Sequence, residues 1–85
     1  MAEEIAVKVK LFAIYQEAFE TPELQMVFPQ QTTASDVLET LIEQKPHLSK
    51  WKEVTRFGIN LQFVESDTAI QDGDEIVLIP PVSGG

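Results

Sequence analysis

Few side chains in this sequence are equipped for chemistry. His47 is the single histidine and cysteine is absent, so a thiolate nucleophile, a disulfide and a thiolate metal site are all excluded. His47 follows Pro46 at the expected end of a helix and has no orienting partner nearby, which makes it a surface or capping residue rather than a general base. Asp72, Asp74 and Glu75 bring three carboxylates together and could in principle attract a divalent cation. The run Asp72-Gly73-Asp74-Glu75 is, however, far shorter than a calcium-binding loop and reads as a turn. No phosphate-cradling glycine loop, dinucleotide fingerprint or zinc-binding helix pair is present.

The group that remains is the carboxylate of Gly85. A carboxylate is a poor electrophile, but as an acyl adenylate it gains a good leaving group, and a sulfur or amine nucleophile can then take the carbonyl. The product is either a thiocarboxylate that carries sulfur or an isopeptide bond to a target. The segment that bears it, Pro80-Pro81-Val82-Ser83-Gly84-Gly85, suits delivery into another protein's pocket. The two prolines favour an extended exit, and the four residues beyond them can reach roughly 13 Å. Gly84 and Gly85 lack Cβ atoms and can thread a slot too narrow for other residues.

Something must hold that segment. Residues 5–12 alternate, with Ile5, Val7, Val9 and Leu11 on one side and Ala6, Lys8, Lys10 and Phe12 on the other, the period of a strand covered on one face. Residues 13–20 read as a short helical or irregular connection stopped at Thr21-Pro22. A second strand is expected over 24–28, closed by Pro29. Thr33-Ala34-Ser35-Asp36 then fits a capping box, and Ala34, Val37, Leu38 and Leu41, widened by Ile42, form the apolar stripe of a helix ended by Pro46. In the ambiguous stretch 47–56, Leu48, Trp51 and Val54 would cover the edge of the core. Strand character returns over 57–64, where Ile59, Leu61 and Phe63 alternate with Asn60 and Gln62, and again over 75–79, apolar on both parities as in a central strand.

The order strand, strand, helix, strand, strand predicts a small α+β roll in which the first and last strands lie side by side, parallel, at the centre of the sheet. Both then end at one edge, where Phe12 and Ile79 become neighbours close to the departing tail. Phe12 shares the parity of Lys8 and Lys10, the solvent side, so an aromatic there suggests an exposed apolar patch for a partner.

At 85 residues the chain makes one domain, too small for a substrate cleft with a lid of its own. Its net charge of −8 argues against nucleic acid, whose binding is driven by cationic side chains. The same charge leads one to expect basic patches on its partners. The longest aliphatic run, Ile76-Val77-Leu78-Ile79, is far too short to span a membrane, and the acidic start lacks the positive charge of a signal peptide. A cytoplasmic location is expected.

The stretch 72–85, from the Asp-Gly-Asp-Glu turn through the apolar strand to Pro-Pro-Val-Ser-Gly-Gly, closely resembles the end of the small subunits of molybdopterin synthase, as do Asn60 and the opening Val9-Lys10-Leu11-Phe12-Ala13. The resemblance implies a β-grasp, ubiquitin-like fold over residues 1–81 with a flexible Gly-Gly tail at 82–85. It implies that Gly85 is adenylated by a ubiquitin-activating-type adenylyltransferase using ATP and is then converted to a thiocarboxylate with sulfur from a sulfurtransferase. The tail would insert into the large catalytic subunit and donate sulfur to precursor Z, cyclic pyranopterin monophosphate, forming the dithiolene of molybdopterin. Carried over by position, Gly85 would bear the reactive group and Gly84 would allow passage, while Ser83, Val82, Pro81 and Pro80 would line the insertion. Phe12, Phe63 and Ile79 would form the apolar contact with both partners, although Ile79 stands where some members have an aromatic. The chain would bind no cofactor itself, and the assembly would be a heterotetramer.

Two other classes of function fit the same residues. A modifier would be joined through Gly85 to lysines of other proteins, and a plain interaction domain would leave the tail inert. A carrier for the thiazole sulfur of thiamine is a near relative of the first reading, but its tails lack Pro-Pro-Val-(Ser/Thr).

Overall fold

The computed structural model describes residues 3–81, so the tail expected at 82–85 lies outside the described residues. The chain runs β1 (Glu4–Leu11), α1 (Ile14–Phe19), β2 (Glu23–Pro29), α2 (Ala34–Gln44), a 3-10 helix (Pro46–Val54), β3 (Arg56–Ile59), β4 (Gln62–Val64) and β5 (Glu75–Ile79). The strands form one sheet in the order β2-β1-β5-β3-β4. β1 and β5 are parallel and central, in register from Lys8 beside Glu75 to Leu11 beside Leu78, and every other pairing is antiparallel. This is the expected β-grasp roll.

The helices cover one face because the strand alternation sends the apolar residues there. Ile5, Val7, Val9 and Leu11 of β1 and Ile76 and Leu78 of β5 meet Ala34, Val37, Leu38 and Leu41 of α2, all buried. α2 starts where the sequence predicts. The Thr33 hydroxyl accepts from the Asp36 N–H at 3.2 Å, and the Asp36 carboxylate accepts from the Thr33 N–H at 3.0 Å, a reciprocal cap. The next two helix N–H groups, of Ala34 and Ser35, donate to the carbonyls of Thr68 and Ser66.

The structure corrects the reading of 57–64 as one strand. Asn60 and Leu61 take φ of 51° and 73°, the left-handed pair of a two-residue hairpin, and the chain folds back with Ile59 paired to Gln62. The sheet therefore has a fifth, three-residue edge strand. Leu61, assigned by alternation to the side of Ile59, stands on the turn at 91% exposed. In the stretch that followed α2, Leu48 is buried and Trp51 half-buried against the core as expected, but Val54 is 52% exposed. His47 is exposed. Among the described residues no helix is long and apolar enough to cross a membrane.

Candidate functional site

β5 has two differently built ends. At its start, the Asp-Gly-Asp-Glu turn is a clasp of hydrogen bonds. Asp72 accepts from the Ala6 N–H at 2.8 Å, and Asp74 accepts from the Gln71 N–H at 2.8 Å and from the Asn60 amide at 3.0 Å. The Asn60 carbonyl oxygen accepts in turn from the Glu75 N–H at 3.1 Å, and the Gly73 N–H donates to the Ala6 carbonyl. Gly73 has φ of 86°, a conformation its missing Cβ makes inexpensive. These carboxylates are thus occupied in tying β1, β5 and the β3–β4 hairpin together. Among the described residues no group of three or more His, Asp or Glu is arranged to hold a metal ion.

At its other end β5 delivers Pro80, half-buried, and Pro81, exposed, toward the tail. Neither proline can donate to a neighbouring strand, so pairing stops there. Beyond the last matched pair, Leu11 beside Leu78, the next residues along the two strands are Phe12 and Ile79, brought together as expected. Phe12 is 49% exposed. On the far side of β5, Ile79 is paired with Arg56 and Val77 with Gly58, and Gly58 is paired in turn with Phe63, which is 76% exposed. The face left uncovered by the helices therefore carries Phe12, Ile79, Val77 and Phe63 as an apolar strip near the end of β5 that runs into Pro80 and Pro81. The remaining predicted residues, Val82, Ser83, Gly84 and Gly85, lie outside the described residues.

Two further residues fix this edge. After Phe12 the chain turns through Ala13, at φ 51°, into α1, and the Tyr15 N–H closes the turn on the Phe12 carbonyl at 3.1 Å. Tyr15 is fully buried, and its hydroxyl bonds that of Thr55, the residue before β3. Because the Thr55 hydroxyl donates to the Trp51 carbonyl at 2.8 Å, the Tyr15 hydroxyl must be the donor in the pair. Burial pushes the Tyr15 phenol above its ordinary range. This link joins the loop holding Phe12 to the strand holding Arg56. The spacing Tyr15, Ala18, Phe19 is the one sequence signal that could have marked α1 and its buried face. Nothing in the linear order marks Val77 or Arg56, whose place depends on cross-strand pairing.

A model of the ThiS family matches residues 9–85. The molybdopterin synthase sulfur carrier subunit of Drosophila ananassae is 34% identical over 84 residues, spanning 95% of this chain and 92% of that protein. The solution structure of the small archaeal modifier protein 1 from Methanosarcina acetivorans is 34% identical, with a TM-score of 0.75 and coverage of 98% and 99% of the two chains. The complex of subunits 1 and 2 of the molybdopterin-converting factor from Helicobacter pylori contains a chain sharing the fold, at 24% identity and a TM-score of 0.61, covering 95% of this chain and all of that one.

Proposed function

The chain belongs to the ThiS family, among the molybdopterin synthase sulfur carrier subunits, and we propose that it carries sulfur on the carboxyl group of Gly85 in molybdenum cofactor biosynthesis. An activating adenylyltransferase joins the Gly85 carboxylate to ATP, giving the acyl adenylate and pyrophosphate. The persulfide of a sulfurtransferase then displaces AMP, giving an acyl disulfide, and a thiol that attacks its S–S bond and leaves as a disulfide with the sulfurtransferase frees the thiocarboxylate. The tail, with Pro80 and Pro81 at its root and Val82, Ser83 and Gly84 passing through the slot, enters the large synthase subunit. There the sulfur moves to precursor Z, water takes its place on the Gly85 carbonyl, and the carboxylate is restored. Two sulfurs, and so two carrier cycles, complete one dithiolene.

The observation that carries this reading is the place of the apolar strip. Phe12, Ile79, Val77 and Phe63 share the open face at the end of β5 that runs into Pro80 and Pro81, so a partner that docks there lies beside the chain's exit from the sheet. The Helicobacter pylori complex pairs a similarly folded chain with a second subunit, which supports docking on a large subunit. We further propose ATP as a substrate of the partner alone and a cytoplasmic heterotetramer as the assembly.

Intact mass tests the reading. After incubation with activating enzyme, ATP and a sulfur source, the carrier gains the mass difference of one sulfur for one oxygen. The similarity to small archaeal modifier protein 1 favours one second reading, attachment to other proteins through Gly85. Ladders of conjugates in place of the mass shift would establish it.

A further inference from the structure

The open face of the sheet carries charge as well as apolar surface, and the charge is unevenly placed. Lys8, Lys10 and Arg56 lie on it, three of the chain's six cationic side chains, against Glu4, Glu23 and Glu75 of the paired strands, with Glu65, just past β4, lining one groove with Arg56 and Phe63. Most of the chain's formal excess of 8 negative charges therefore lies elsewhere on the molecule. Two of the cations border the apolar strip directly, Lys10 paired across to Val77 and Arg56 to Ile79. Lys8 and Lys10 share a single carboxylate, that of Glu23, at 3.9 Å each, in exposed pairs that hold little energy. Arg56 is exposed and makes no ion pair among the described residues.

We infer that this face takes a locally acidic partner surface, one that sets an apolar side chain against Phe12, Val77, Ile79 and Phe63 between carboxylates meeting Lys10 and Arg56. The occupant is the tail-receiving large subunit, an identity that rests on the proposed function. A purely apolar partner would strip water from Arg56 and Lys10 and return nothing, whereas carboxylates at those two points restore the lost interactions and fix the register in which the tail enters. The overall charge leads one to expect basic partner surfaces, and around the strip that expectation is inverted. The contact sets two cations beside the strip on a face far less acidic than the whole.

The test is a titration of purified large subunit with wild type, Arg56→Glu, Lys10→Glu and Lys50→Glu at low and high salt, with unfolding midpoints measured alongside. Lys50 sits over the Trp51 ring on the 3-10 helix, so its reversal changes net charge equally but away from the strip. Arg56→Glu and Lys10→Glu should each weaken binding roughly tenfold or more and flatten its salt dependence, while Lys50→Glu binds as wild type. Should a Glu variant melt early, Arg56→Gln and Lys10→Gln read the same contrast at smaller amplitude. Equal damage from Lys50→Glu, or undiminished binding by Arg56→Glu, overturns the inference while the proposed function stands. A wild-type chain that does not bind the large subunit overturns both.

Discussion

Phe63 projects from a three-residue edge strand with most of its ring in water, so its removal takes little from the core. Phe63→Ala should leave stability within about 0.5 kcal/mol of wild type, as exposed substitutions do, yet weaken large-subunit binding roughly tenfold if the ring is an interface anchor. Paired titration and denaturation curves check this, and equal losses in both would mark the ring as structural. Phe12 is half covered, so Phe12→Ala costs some stability, about 1 to 2 kcal/mol, and more in binding than in folding. Tyr15 acts inside the edge rather than on it. Tyr15→Phe should cost about 1 kcal/mol through its lost hydrogen bond to Thr55. The phenol also sets a pH limit. Its folded pKa is raised, so its contribution is complete below the unfolded value of about 10 and falls away as the pH climbs through the higher folded value. The alkaline limb of a stability profile should therefore be shallower in Tyr15→Phe.

At the scale of elements, the β3–β4 hairpin and the clasp at the start of β5 depend on one residue. Asn60 supplies a left-handed turn conformation, a bond to Asp74 and a bond from the Glu75 N–H. Asn60→Ala loses all three and should cost about 2 kcal/mol or more, while Asn60→Gly keeps the backbone preference and should cost measurably less. Chemical denaturation of the two variants separates the contributions. Thr33→Ala should remove about 1 kcal/mol with its half of the capping box. These elements differ in how plainly the sequence announces them. β1, α2 and β5 are legible because alternation, capping and apolar runs are local properties, and with them the parallel central pair and the meeting of Phe12 with Ile79. The hairpin was hidden because Leu61 and Phe63 continue the alternation of Ile59 across a turn whose only sign is Asn60. The 3-10 helix carries two buried or half-buried contacts, Leu48 and Trp51, too few to impose a clear period over its nine residues. Arg56 and Val77 join the strip only through pairing, which a linear sequence does not record.

Over the whole molecule, β5 is the axis along which structure and proposed function are separated. One end is bound into the fold by Asp72, Asp74 and Asn60, and the other presents Pro80, Pro81 and the apolar strip from the edge of the sheet. The core, built from β1, β5 and α2, keeps that edge in place, and the proposed reaction belongs to Gly85 beyond it. Damage at the clasp should therefore lower stability first and activity only through loss of folded protein, whereas damage to the tail should act on activity alone. The most direct test is to remove Gly85 and follow sulfur loading by intact mass in the presence of activating enzyme, ATP and a sulfur source. The account predicts that wild type exchanges one oxygen for sulfur while the shortened chain, unfolding at the same midpoint, does not. Sulfur loading of the shortened chain at the wild-type rate would contradict it.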